Sequence, residues 1–435
     1  MWMDGRRMEN PSLMNVKSQV KQKTDSRLLE MVKTCGKEKD LLKARRIHAD
    51  MKPRIEEDLY ISNALIRTYC KCGALLDALE LFEHIPNRNV ISWNVLIAGY
   101  VEHGYCQQAL QCFRKMMEED GMSPSAVTYA CILKACATTG SLDIGQEIDA
   151  KVREKGLLKE DIVLGTSLID MYAKCGILER ACKVFDELRQ RDTVSWNVLI
   201  AGYVEHGHFD RALVCFRRME DEGVSPNAPT YDCVLQACAA TRSLDVGEEI
   251  HAKVREQGFL KNDVVLGNRL IDMYAKCGML QTACKVFDEL PHRNVVSWNA
   301  LIAGYVKHGF ADQALKCFRQ LEDAGIPPNA VTYVSALKAC AAIPSLEVGE
   351  AIHEKVKKQG LLMKNVVLGT AVVDMYAKCG ALQRSREVFD ELPNQTLCLG
   401  AYVTNALNYK GTCVTQNLPH VMSQFKDERC THGKM

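Results

Sequence analysis

Apolar residues recur along this chain at the spacing of helices, and the helices come in copies. In VVSWNALIAGYVKHG, from Val295 to Gly309, the residues Trp298, Leu301, Ile302 and Tyr305 share one helical face, and Gly309 supplies a C-terminal stop. A second amphipathic stretch runs from about Ala311 through Leu315, Phe318 and Leu321 to Gly325, with Pro327 and Pro328 behind it. Near-copies of the first stretch stand at Val90 to Gly104 and Thr193 to Gly207. Aligning the chain on SWN and on DMYAKCG gives units at 25–58, 59–89, 90–125, 126–161, 162–192, 193–227, 228–263, 264–294, 295–329, 330–365 and 366–396.

Each unit reads as two helices, and neither can bury its apolar face alone. The pairs must stack on their neighbours, so the expected fold is all-α, an α-solenoid superhelix of stacked helix-turn-helix repeats with a groove along one face. The glycine of IAGY (Gly99, Gly202, Gly304) stands mid-helix, where it weakens the helix unless a neighbouring helix approaches closely.

Composition narrows the function classes. With 55 basic against 54 acidic residues the chain is no polybasic binder, so any nucleic acid must be held by more than charge. No apolar run is long enough for a membrane span, which predicts no membrane partner. The twenty cysteines recur with the helices: Cys175, Cys277 and Cys379 at one place, and Cys136, Cys238 and Cys340 at another. No C-x-x-C pair exists, so they read as buried structural thiols rather than metal ligands. No phosphate-cradling glycine loop or catalytic histidine constellation appears, and neither catalysis, a cofactor, a bound metal nor a small-molecule substrate is expected.

The mixed unit lengths of 31, 35 and 36 residues between 162 and 263 depart from a tetratricopeptide array. The SWNxLIxGY, LKACA…GxxIHAKV and LIDMYAKCG…ACKVFDELP segments instead resemble plant pentatricopeptide repeats of the PLS subclass. On that resemblance, P units begin at 90, 193 and 295, L units at 25, 126, 228 and 330, and S units at 59, 162, 264 and 366. The resemblance implies sequence-specific binding of single-stranded organellar RNA in a mitochondrion or chloroplast, one repeat to one base. It further implies service as a recognition factor for RNA processing such as C-to-U editing, with a DYW-type deaminase supplied in trans.

In that family the fifth and last residues of P and S units contact the base edge. Here these are Asn63 and Asn89, Asn94 and Ser125, Thr166 and Asp192, Asn197 and Asn227, Asn268 and Asn294, Asn299 and Asn329, Thr370 and Thr396. The second residue packs on the base faces: Tyr60, Ile91, Val163, Val194, Val265, Val296 and Val367. L units, with Ala130, Asp232 or Val334 in fifth place, give no reading. Carboxamide, hydroxyl and carboxylate offer different donors and acceptors to a Watson–Crick edge. NRLIDMYAKCG and TSLIDMYAKCG keep the run LIDMYAKCG identical while the fifth position switches between Asn and Thr, as a reading position should. The other reading makes the unit-end residues turn or cap residues.

Lys71, Lys174, Lys276, Lys307 and Lys378 stand two residues before the glycine that ends the first helix, where an ammonium either meets RNA phosphate or complements the helix C-terminus. Residues 1–24 read as the remnant of a targeting peptide, and 397–435 as a divergent tail. Neither an E extension nor a DYW deaminase motif is recognised, since H-x-E and C-x-x-C are both missing. The rival functions are a protein-binding helical-repeat scaffold and a truncated PLS protein lacking its effector domain.

Overall fold

The computed structural model describes residues 27–159, 161–261 and 263–392. The segment at 1–24, Thr396 and the tail at 397–435 lie outside the described residues. The first helices of the hairpins are α1 (27–38), α3 (Leu59–Lys71), α5 (Val90–Glu102), α7 (Ala126–Thr139), α9 (Ile162–Lys174), α11 (Thr193–Glu205), α13 (Ala228–Thr241), α15 (Val264–Lys276), α17 (Val295–Lys307), α19 (Ala330–Ala342) and α21 (Val366–Lys378). The second helices are α2 (Leu41–Glu57), α4 (Leu75–His84), α6 (Cys106–Glu118), α8 (Leu142–Glu154), α10 (Leu178–Glu187), α12 (Phe209–Asp221), α14 (Leu244–Glu256), α16 (Leu280–Glu289), α18 (Ala311–Asp323), α20 (Leu346–Lys358) and α22 (Leu382–Glu391). No strand occurs among the described residues.

The described residues divide into two compact stretches, one up to Pro226 and one from Asn227, holding α1–α12 and α13–α22. Within each, a first helix packs on the second helix of its own hairpin and on the first helix of the next, as α15 does on α16 and α17. The fold is thus an α-solenoid of stacked helix-turn-helix repeats.

Local chemistry sets the ends. Asn89, Ser125, Asp192, Asn227, Asn294 and Asn329 each cap the helix that follows, and a Ser or Thr three residues on completes a reciprocal capping box. Such a cap stabilises a helix by about 1 kcal/mol. At the other end Gly309 takes the left-handed conformation, φ 80°, which only glycine adopts without strain.

Packing supplies the rest. Phe185 lies edge-on to the fully buried Trp196, ring centroids 4.4 Å apart, and Phe82 with Trp93 and Phe287 with Trp298 repeat the pair at 4.6 Å. Burying one such phenylalanine stabilises by roughly 1.5–3 kcal/mol. The mid-helix glycine allows the close approach: a Cβ on Gly202 would lie 2.7 Å from Ala173 Cβ, and one on Gly304 2.6 Å from Ala275 Cβ. All seventeen described cysteines are free. Burial pushes the thiols of Cys70, Cys136, Cys215 and Cys340 up to about 12, which keeps them from acting as thiolates. No helix among the described residues is long and apolar enough to cross a membrane.

Candidate nucleic-acid interface

The second residue of each P and S unit is an apolar side chain facing solvent. Tyr60, Val163 and Val367 are 65% exposed, and Ile91, Val194, Val265 and Val296 are exposed likewise. Leaving a large apolar group at the same place of successive hairpins in water is unfavourable unless a partner covers it, and the row these groups form within each compact stretch is what a stacked ligand needs. Val127 and Val331, second residues of L units, join this row. The fifth residues of those units give no base reading, so the register alone does not point to them; the V in AVTY was the available signal.

Beneath the row lies a polar network. In the 264–294 unit, Asn268 Nδ2 donates to Asn294 Oδ1 at 3.3 Å, and Ser297 Oγ donates to Asn268 Oδ1 at 2.6 Å. In 295–329, Asn299 Nδ2 donates to Asn329 Oδ1 at 3.1 Å and Thr332 Oγ1 to Asn299 Oδ1 at 2.7 Å. In 90–125, Asn94 Nδ2 donates to Ser125 Oγ at 3.1 Å and Thr128 Oγ1 to Asn94 Oδ1 at 2.6 Å. The structure thus brings fifth and last residues into direct contact in three units.

The hydroxyl decides which way the amide faces. The backbone N–H of Ser125, Asn294 and Asn329 donates to the hydroxyl oxygen of the capping box, so that oxygen is already accepting. Its proton goes onward to the carbonyl of the fifth-place Asn. The amide NH₂ is left facing the last residue, with one proton for a base. Ser297, Thr332 and Thr128 are fully buried, and they are positioning residues that sequence reasoning passed over. Their signal was a hydroxyl residue three places after each unit end, in SWN and in TY.

The last residues therefore cap helices, and those of three units also touch the fifth-place amide. Asn268 and Asn299 are buried, at 7% and 9% exposure, yet they sit between first helices beside the next cap rather than beneath the second helices. The remaining pairs differ. Asn63 Oδ1 is buried without a partner, while Ser92 Oγ turns to Asn89 Oδ1 at 3.2 Å. Ser195 Oγ donates to the backbone carbonyl of Asp192 at 2.9 Å, and the structure shows no hydrogen bond between Thr166 and Asp192. Thr370 donates to the carbonyl of Val366 at 2.9 Å. Asn197 and Asn227 fall in different compact stretches, and Asn227 caps α13.

L units lack the network for a visible reason. The unit that follows them is an S unit, whose third residue is Leu164, Leu266 or Leu368 rather than a hydroxyl. The L-unit Asp232 is instead gripped by Arg269, with Nε–Oδ1 at 2.8 Å and Nη2–Oδ2 at 3.1 Å. That pair holds the Arg269 guanidinium above its ordinary pKa.

The lysines divide. Lys174, Lys276 and Lys378 are ion-paired with Asp170, Asp272 and Asp374 one turn earlier, at 2.9, 2.7 and 2.9 Å. Lys71 and Lys307 have no ion pair among the described residues. Among these residues, too, no group of histidine, cysteine and carboxylate side chains could hold a metal ion.

Comparison with known proteins bears on the whole repeat. The profile described as PPR repeat family matches residues 88–138, 191–240 and 293–342, and that described as PPR repeat matches 60–90, 166–193 and 268–295. A chloroplastic pentatricopeptide repeat-containing protein of Arabidopsis thaliana is 35% identical over 84% of this chain and 59% of its own length. A second chloroplastic one is 37% identical over 83% and 44%, and a mitochondrial one 33% over 87% and 37%. The chain spans roughly two fifths to three fifths of the length of these relatives. The crystal structure of the pentatricopeptide repeat protein PPR10 in complex with an 18-nt psaJ RNA element superposes with a TM-score of 0.70 at 19% identity, covering 88% of this chain and 59% of the other. Repeat profile, relatives and fold agree, and this chain belongs to the pentatricopeptide repeat family.

Proposed function

We propose that this protein binds single-stranded RNA in a sequence-specific manner, one base to each P or S unit, in a mitochondrion or chloroplast. The observation that supports this best is the repeated juxtaposition of an exposed apolar second residue with the hydroxyl-oriented Asn pair beneath it. Where both readers are amides, the groove offers N–H donors to the acceptors of a pyrimidine, whose small ring leaves room for the two long side chains. Thr166 with Asp192 gives a shorter hydroxyl and a carboxylate acceptor, which suits N1–H and N2–H₂ of guanine. Thr370 with Thr396 suits a purine.

With units read from the N-terminus against RNA in the 5′ to 3′ direction, as in the family, the register is unread, Y, Y, unread, G, Y, unread, Y, Y, unread, R. The chain has the unit pattern of the PLS subclass, and its role is that of a recognition factor for an RNA-processing event such as C-to-U editing, the deaminase acting in trans. Filter binding of single-stranded RNA, duplex RNA and single-stranded DNA tests the reading. Retention of single-stranded RNA with this register after selection from a random pool supports it. Retention of none of the three would favour a peptide-binding scaffold, and an unrelated enriched register would overturn the assignment of readers.

A further inference from the structure

The groove between α1 and α3 differs chemically from the same place elsewhere in the solenoid. It has a volume of about 570 Å³, and its lining includes Lys33, Lys37, Tyr60, Asn63, Arg67 and Lys71. The equivalent groove between α19 and α21 measures about 540 Å³ and is lined by one lysine, Lys338, and one carboxylate, Asp374, among apolar and Thr side chains. Size and position match; charge does not.

Three substitutions within the repeat pattern produce the difference. Where later S units place Asp170, Asp272 and Asp374 to pair with their lysines, this one has Arg67, so Lys71 gains a second cation instead of a counter-charge. Where later L units have Thr138, Ala240 and Ala342, the first has Lys37. Where the other P and S units have Val or Ile as second residue, this one has Tyr60, 65% exposed, with Lys33 Nζ 6.0 Å from its ring centroid. No ion pair among the described residues holds Lys33, Lys37, Arg67 or Lys71, and all four are exposed. The adjoining groove is lined by Arg67 and Lys71 with one carboxylate, Glu102, which forms no ion pair with either. Four cations kept together without neutralisation repel one another, and a bound anion removes that penalty.

A second, independent observation marks the same groove as a ligand site. Asn63 is 8% exposed and lines it, and its Oδ1 has no hydrogen-bond partner. Its counterpart Asn268 receives the Ser297 hydroxyl. A buried carbonyl left without a donor is unfavourable unless a ligand supplies one.

We infer that this groove is an anchor for a nucleotide together with its phosphates: Lys33, Lys37, Arg67 and Lys71 hold the phosphate groups, Tyr60 stacks on the base, and Asn63 Oδ1 accepts from a base N–H. The inference rests on the RNA-binding reading above and adds that affinity is concentrated at one end of the solenoid rather than spread evenly over its units. An internal phosphodiester and a terminal 5′-phosphate share this chemistry.

The test uses the full chain and an RNA carrying the proposed register, labelled at its 3′ end and followed by fluorescence anisotropy across a salt series. Three forms of the RNA are compared: 5′-hydroxyl, 5′-phosphate, and one extended by several 5′ nucleotides. Arg67→Asp with Lys37→Ala restores the charge pattern of the later units and should weaken binding by at least about tenfold near 0.1 M salt. It should also lower the slope of log K against log salt by about 1 to 2, near 0.7 for each single-strand phosphate that is no longer neutralised. Asp374→Lys, which frees Lys378 beside Lys338, should strengthen binding and raise the slope. A loss reproduced by removing the 5′-phosphate assigns the site to the strand end; equal binding of the extended RNA assigns it to an internal phosphodiester. Wild-type binding with an unchanged affinity and slope in the double variant overturns the anchor and leaves the base-reading intact. A wild-type chain that binds no RNA overturns the reading itself. Circular dichroism of each variant separates these outcomes from unfolding.

Discussion

The junction where an S unit meets a P unit and the junction where an L unit meets an S unit are built from the same helical hairpins, yet they present different chemistry to the groove. At the first, Ser297 stands third in its helix, donates to Asn268 and fixes an amide beneath the exposed Val296. At the second, Leu266 takes that place, and the fifth-place Asp232 is closed off by Arg269. On the side away from the groove the contrast reverses. The S-to-P junction packs Phe287 on Trp298, whereas the L-to-S junction buries a polar pair, His251 with Tyr274 at 2.9 Å and His353 with Tyr376 at 3.0 Å. One kind of junction places its polar groups on the groove, the other in its own interior. Base selectivity should therefore reside in the first and acid sensitivity in the second.

The largest effect is expected where the reading pair changes character. Thr166→Asn with Asp192 kept should lower affinity for the G-containing RNA by about 1–3 kcal/mol, and changing only that G to U should restore it. Thermal stability should hardly move. A variant that loses stability and binds every RNA equally poorly would make Thr166 a packing residue. Next comes the hydroxyl that orients the amide. Ser297→Ala removes a donor to Asn268 Oδ1 and an acceptor of Asn294 N–H, so unfolding should become easier by roughly 1–1.5 kcal/mol. Selection should lose its preference at that one position; an unaltered preference would show that the hydroxyl serves the cap alone.

The interior of the L-to-S junction answers to pH. Burial holds His251 and His353 below their ordinary value of 6.5, and Nε2 of each is buried without a partner. The unfolded chain takes up protons that these rings refuse, so their contribution is intact above about pH 6.5 and is lost as pH falls through the lower folded values. Melting temperature should fall between about pH 7 and pH 5, less so in a His251→Gln, His353→Gln variant. Burial also pushes Tyr274 and Tyr376 up to about 12, so the same junctions should weaken again as the solution passes above about pH 10. Equal acid sensitivity in wild type and double variant would place the titration elsewhere. The smallest effect belongs to the L-unit ion pair. Asp232→Asn removes a partly exposed charge pair, for which about 0.2–1 kcal/mol is typical, and should leave base preference untouched. A new base preference at that unit would make Asp232 a reader after all.

Several of these features were legible in the chain. SWN, DMYAKCG and the glycines between them set the repeat and its helices, because a stacked hairpin needs the same small, capping and apolar residues each time. Gly202 and Gly304 announced the close helix approach that Ala173 and Ala275 supply. The pairing of Asn299 with Asn329 was countable from the register, but the burial of the fifth-place amide and its orientation by Thr332 were not. That hydroxyl belongs to the following unit, and only stacking brings it within reach.

What the sequence determined by itself is therefore what recurs within a unit: helix ends, apolar faces, and the second residues that no interior needs; the cysteines it placed inside divide, Cys136, Cys238 and Cys340 being buried and Cys175, Cys277 and Cys379 only half-buried. What only the tertiary structure decided is what passes between units. Lys174 and Lys71 occupy equivalent places, yet one lies against its Asp and the other against three more cations. Periodicity fixes where a side chain stands on its own helix and which neighbour it meets one turn earlier, Asp170 for Lys174 and Arg67 for Lys71; Lys33 and Lys37, on α1, join Lys71 only because packing brings the two helices together.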